Sequence, residues 1–130
     1  MAPWSAAVYD AMESFLKPNE VRDIQVAKQI EILPLTHIRG RTLKGSYVVI
    51  DEAQNLDLMV LVTALSRMGE GSKVVLTHDV NQRDNLRVGK HDGIAKVIST
   101  LSGSELFAHV ALTKSVRSKI ADLVANSFDI

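Results

Sequence analysis

An apolar, β-branched run, Tyr47-Val48-Val49-Ile50, stops abruptly at two adjacent carboxylates, Asp51 and Glu52. A short continuous apolar run of this kind reads as a strand buried on both faces, which is the environment of a parallel sheet. The pattern recurs twice. Lys73-Val74-Val75-Leu76 ends at Thr77-His78-Asp79, and His109-Val110-Ala111-Leu112 ends at a polar stretch over residues 113–117. Between the runs the apolar period changes to that of a helix, with Leu58, Leu61, Val62, Leu65 and Met68 on one face and Ile94, Val97, Ile98 and Leu101 on another. Alternating strands and helices predict an α/β domain, a parallel sheet flanked by helices.

Upstream, Val8, Met12, Phe15 and Leu16 predict a helix that Lys17-Pro18-Asn19 ends, and a second helix is expected over residues 20–29. Glu31-Ile32-Leu33-Pro34-Leu35 reads as a short strand confined by Pro34 to an edge or an end, followed by a loop over residues 36–44. Asn55 or Asp57 is positioned to cap the helix after the first central strand, and a last helix is expected over residues 118–127.

At 130 residues the chain is one domain or part of one. Its 15 basic and 15 acidic residues cancel, so any affinity for nucleic acid must come from local clusters. There are no cysteines, which excludes disulfide and thiol chemistry and fits a cytoplasmic location. No metal-ligand spacing joins the four histidines, and no apolar run approaches the length of a membrane span.

In open α/β sheets ligands bind beyond the carboxyl ends of the strands. The clusters Asp51-Glu52-Ala53-Gln54, Thr77-His78-Asp79-Val80-Asn81-Gln82 and residues 113–117 each follow a strand, so all three are expected to converge on one edge. The pleat is expected to send Asp51 and Glu52 in different directions, so the two can take different roles. Asp51 would face a hydrated Mg²⁺, and Glu52 a water in line with a terminal phosphate. The plain alternative is an acidic helix N-terminus favoured by the helix dipole. Gln82 is placed to sense a phosphate without adding charge, or simply to bond nearby backbone. Arg117 can stabilise charge in phosphoryl transfer, or belong to a solvated basic turn. Two basic groups, Arg39, Arg41 and Lys44, and Arg83, Arg87, Lys90 and His91, can contact a nucleic acid backbone or be ordinary surface charge.

The stretches 33–43, 48–55 and 74–89 together resemble the PhoH (phosphate-starvation-inducible) ATPases, most closely the branch often fused to an N-terminal PIN ribonuclease domain. The resemblance covers nearly the whole chain and implies a RecA-like P-loop NTPase sheet related to superfamily 1 helicases, using ATP and Mg²⁺ and acting on RNA or single-stranded nucleic acid. It implies that Asp51 and Glu52 are the Walker B pair, Asp51 holding Mg²⁺ through water and Glu52 catalytic, with Gln54 completing the motif. Asp79 and Gln82 match G-D-x-x-Q, with His78 in place of its glycine, and both would face the nucleotide with Asp51 and Gln54. Arg117, in Val116-Arg117-Ser118, is similar to a Y-R-S catalytic arginine without its tyrosine, while Arg39, Arg41, Arg83 and Arg87 would serve nucleic acid.

One departure stands out: no G-x-x-x-x-G-K-[ST] loop occurs in these 130 residues. The expectation is a partial PhoH-like ATPase domain over residues 1–130, from the Walker B strand onward plus the preceding helices and lacking the Walker A strand and loop. On this reading the isolated chain is inactive and self-associates or joins a P-loop-bearing partner. The alternatives are a non-catalytic assembly module completed by a partner fragment, and an inactive remnant.

Overall fold

The structure is a computed structural model that describes residues 3–79, 93–114 and 116–128. It separates into two compact units, residues 1–38 and 39–130. In the first, α1 (Pro3–Glu13) packs with α2 (Pro18–Val26). The Glu20 carboxylate accepts from the Lys17 backbone N–H at 2.8 Å, which satisfies one of the donors a helix start leaves open. Both helices end earlier than the apolar spacing predicts. The strand expected over residues 31–35 is absent: the chain is irregular there and closes a 3₁₀ turn at Leu35–His37. Pro34, which cannot donate to a ladder, instead accepts from His37 N–H at 2.9 Å.

The second unit is built on β1 (Tyr47–Ile50) and β2 (Lys73–Leu76), paired in parallel with Tyr47 opposite Lys73 and Ile50 opposite Leu76. The register is set before the strands begin. Leu43 bridges to Met68, Gly45 N–H donates to Glu70 C=O at 3.0 Å, and Lys73 N–H donates to Ser46 C=O at 2.9 Å. The Ser72 hydroxyl adds a bond to Leu43 C=O at 2.7 Å.

A parallel pair needs a long crossover, and α3 (Leu58–Leu65) supplies it. Its sequence, LMVLVTAL, holds β-branched residues of modest helix propensity, so burial and a good start must carry it. The Asp57 carboxylate caps it by accepting from Val60 N–H at 2.9 Å. Leu61, fully buried, forms a core with Ala53, Ile94 and Val97, onto which Leu56, Leu58, Leu65, Leu76, Ile98 and Phe107 pack. The helix α4 (Gly93–Leu101) brings Ile94 and Val97 to that core and lies against α3.

Two expectations for the sheet fail among the described residues. Residues 109–112 form no strand and are exposed, so the sheet has two strands. The central strands are also covered on one face only. Ile50 is buried, but Tyr47 is 72% and Val49 56% exposed, and Val75 shares that open side. The helix α5 (Lys119–Ser127) starts at Ser118, whose hydroxyl accepts from Ala121 N–H at 3.2 Å. Its Ile120, Leu123 and Val124 are exposed.

Gly93 opens α4 where the backbone of α3 passes closest. A Cβ there would lie 2.8 Å from Asp57 C and Leu58 N, closer than any real contact. Alanine ordinarily favours a helix over glycine, but here the neighbour is backbone that cannot step aside. Gly93→Ala is therefore expected to cost about 1–3 kcal/mol in denaturant unfolding, despite its better helix propensity.

Candidate active site

The ends of β1 and β2 are stitched to each other one residue past the sheet. Thr77 N–H donates to Ile50 C=O at 3.0 Å, and Ala53 N–H donates to Thr77 C=O at 2.8 Å. The Thr77 hydroxyl donates to Asp51 Oδ1 and accepts from Glu52 N–H at 3.2 Å. The chain then turns into a 3₁₀ turn at Ala53–Asn55, dropping Ala53, fully buried, into the core. Asp51 and Glu52 remain exposed on the rim.

The two carboxylates are separated by this turn and not by a strand pleat. β1 ends at Ile50, and Glu52 takes the left-handed conformation with φ 53° and ψ 44°. For a residue other than glycine that geometry is costly and persists only where the surroundings enforce it. Here a neighbour on each side enforces it: Thr77 bonds the Glu52 amide, and the core holds Ala53.

Gln54 is 1% exposed, which is unusual for a primary amide. Its Oε1 accepts from Asp79 N–H at 3.1 Å, and it makes a further interaction within the protein. The carboxamide thus lies beneath the rim and ties the segment after β1 to the segment after β2. Asp79 is itself exposed at that edge. His78 is half-buried, and its ring stacks on His109 with centroids 5.9 Å apart and planes 26° from parallel. His78 Nδ1 is buried without a hydrogen-bond partner.

Of the three clusters expected to meet, the structure brings together the first two, through Asp51, Glu52, Gln54, Thr77 and Asp79. The third is not joined to them by the strand that was expected, because residues 109–112 form none; just before it in the chain, the His109 ring stacks on His78. Arg117 is exposed just before α5, in a shallow apolar depression with Ile120, Ala121, Val124 and Ala125. Arg39 and Arg41 are exposed in the loop leading to β1. Gln82, Arg83 and Arg87 lie outside the described residues.

Thr77 is the member that reading the sequence left without a role. Its signal was there: aligning the two apolar runs puts Thr77 one residue past Leu76 just as Asp51 is one residue past Ile50.

The exposed carboxylates of this rim would fit a Mg²⁺ that keeps most of its water. Among the described residues no group of three or more His, Cys, Asp or Glu could hold an ion. Asp51 offers one carboxylate oxygen beyond the one engaged by Thr77. Mg²⁺ typically keeps several waters and takes one or two carboxylates together with substrate phosphates.

Two substitutions separate the roles of this rim. Gln54→Leu keeps bulk but removes the bond to Asp79 N–H, and is expected to lower unfolding free energy by about 1–3 kcal/mol in urea titration. Glu52→Gly relieves the left-handed strain at an exposed position, and is expected to leave stability unchanged or raise it by up to about 1 kcal/mol in thermal unfolding.

Comparison with known proteins agrees over almost the whole chain. Residues 1–129 match the family described as PhoH-like protein. Protein PhoH2 of Mycolicibacterium smegmatis is 55% identical over 129 residues, 99% of this chain and 30% of its own length. Protein PhoH2 of Thermobispora bispora is 54% identical over 124 residues, 95% of this chain and 28% of its length. A PhoH-like protein of Bacillus subtilis is 34% identical over 129 residues, 98% of this chain and 40% of its length. The chain therefore spans well under half the length of these relatives.

Proposed function

Because the chain belongs to the PhoH family, whose domain is an α/β P-loop NTPase fold, we propose that it forms the hydrolytic edge of an ATP-driven, helicase-type enzyme acting on RNA or single-stranded nucleic acid in the cytoplasm. The observation that carries this reading is the rim itself. Two exposed carboxylates stand on adjacent residues at the carboxyl end of a parallel strand, cross-tied to the next strand end through Thr77 and Gln54. A solvated acidic turn has no need of a strained Glu52 or a buried amide beneath it.

In this reading Asp51 would hold a hydrated Mg²⁺ through its water, and Glu52 polarises the water that attacks the terminal phosphate. When bound, Mg²⁺ would neutralise charge on the phosphate oxygens. Gln54 acts from below by holding Asp79 N–H, so that the rim after β2 follows the rim after β1. Arg117 and Gln82 are the proposed phosphate contacts, and Arg39, Arg41, Arg83 and Arg87 the nucleic-acid contacts.

The sequence holds no G-x-x-x-x-G-K-[ST] loop, so the phosphate cradle is assigned to further chain or to a partner, and the isolated 130 residues should turn ATP over negligibly. The face that Tyr47, Val49 and Val75 leave open among the described residues supports such completion, since parallel strands are normally covered on both faces.

The decisive experiment replaces the 129 matched residues of the Mycolicibacterium smegmatis PhoH2 protein with this chain. The graft is expected to hydrolyse ATP, and Glu52→Gln to lower kcat by about 100-fold or more. Equal turnover by the graft and its Glu52→Gln variant would refute the assignment. Turnover by the isolated chain that Glu52→Gln abolishes would refute its dependence on a cradle from elsewhere.

A further inference from the structure

One hydroxyl is bonded to both carboxylate-bearing residues of the rim. Thr77 Oγ1 donates to Asp51 Oδ1 and accepts from Glu52 N–H at 3.2 Å. A hydroxyl has one proton and two lone pairs. Because the Glu52 amide can only donate, the single hydroxyl proton is left for Asp51, and the polarity of the pair is settled. One oxygen of Asp51 is thereby tied to the strand end while the residue itself stays exposed. The second bond, accepted from Glu52 N–H, joins the burial of Ala53 in keeping Glu52 in its left-handed conformation, which decides where its carboxylate is carried.

Thr77 is itself immobilised by backbone bonds to Ile50 on one side and Ala53 on the other. Its side chain thus works from a fixed point in the ladder. The geometry differs from that of an incidental surface threonine, whose hydroxyl would bond its own backbone or water. Resting on the hydrolytic reading of Asp51 and Glu52, we propose that Thr77 is the positioning residue of this site. It orients both carboxylates with one hydroxyl and touches neither phosphate nor metal.

Valine matches threonine in shape but lacks the hydroxyl, whereas serine keeps the hydroxyl and loses the methyl. In the 130-residue chain, Thr77→Val should speed solvent exchange of the Glu52 amide by about tenfold or more, read by NMR, and Thr77→Ser should keep it near the wild-type rate. In the PhoH2 graft, Thr77→Val should lower kcat by about tenfold or more with KM for ATP changed less than about twofold, and Thr77→Ser should recover most of the loss. Should the valine variant lose its fold, Thr77→Ala carries the same two measurements.

Unchanged Glu52 exchange in the valine variant overturns the proposal, with or without turnover. Faster exchange with undiminished kcat in an active graft also overturns it, since the tie would then be only structural. Equal loss in the serine and valine variants overturns it as well, because the hydroxyl would not be what matters. A graft whose turnover ignores Glu52→Gln overturns the hydrolytic reading, and with it any catalytic purpose for Thr77, even where the exchange pattern holds.

Discussion

The in-register pairing of β1 with β2 is the constraint from which the rest of this structure follows. Because side chains alternate along a strand, a slip of one residue would turn Ile50 from the core to the open face. It would also move Thr77 away from Asp51. The register is secured at the far end of the ladder, by the Leu43–Met68 bridge and by bonds from Gly45, Ser46 and Ser72. The ordering of the candidate site is thus determined several residues before the site is reached. It is then held at the exit by Thr77 and Gln54.

Packing and chemistry are joined at Ala53. This residue is fully buried with Leu61, Ile94 and Val97, yet it follows directly on the exposed, left-handed Glu52. Apolar burial on one side of the turn and hydrogen bonds on the other both hold this backbone geometry. The opposite face of the sheet has no such cover among the described residues. Tyr47, Val49 and Val75 stand open there, and the apolar residues of α5 are open as well. Surface of that kind ordinarily marks a site of association.

The legible parts of the chain were those in which local chemistry and tertiary need agree. Val48-Val49-Ile50 and Val74-Val75-Leu76 are β-branched or aliphatic and also find each other, so both are strands. Asp57 was a readable cap because a carboxylate there serves the helix whatever lies around it. Val110-Ala111-Leu112 has a comparable apolar character, but among the described residues no strand pairs with it, and a strand is defined by its neighbour. The segment before Thr36 failed for a different reason: Pro34 supplies an acceptor without a donor, which suits a 3₁₀ turn better than a ladder. At the site, Asp51 and Glu52 could be picked out by their place after an apolar run. Gln54 could be picked out too, but not its burial, and Thr77 was visible only as a polar residue beyond a strand.

What the sequence determined by itself is the material of the site: two strand-forming runs, each ending in polar groups, and carboxylates where one of them stops. Those properties are local, because β-branching, alternation and charge act over a few residues. Tertiary structure alone decided how the groups are used. It placed Thr77 opposite Asp51, put Glu52 in the left-handed region and turned Gln54 inward to hold Asp79. Each of these depends on bonds between residues about 25 positions apart, closed only when the two strands lie side by side.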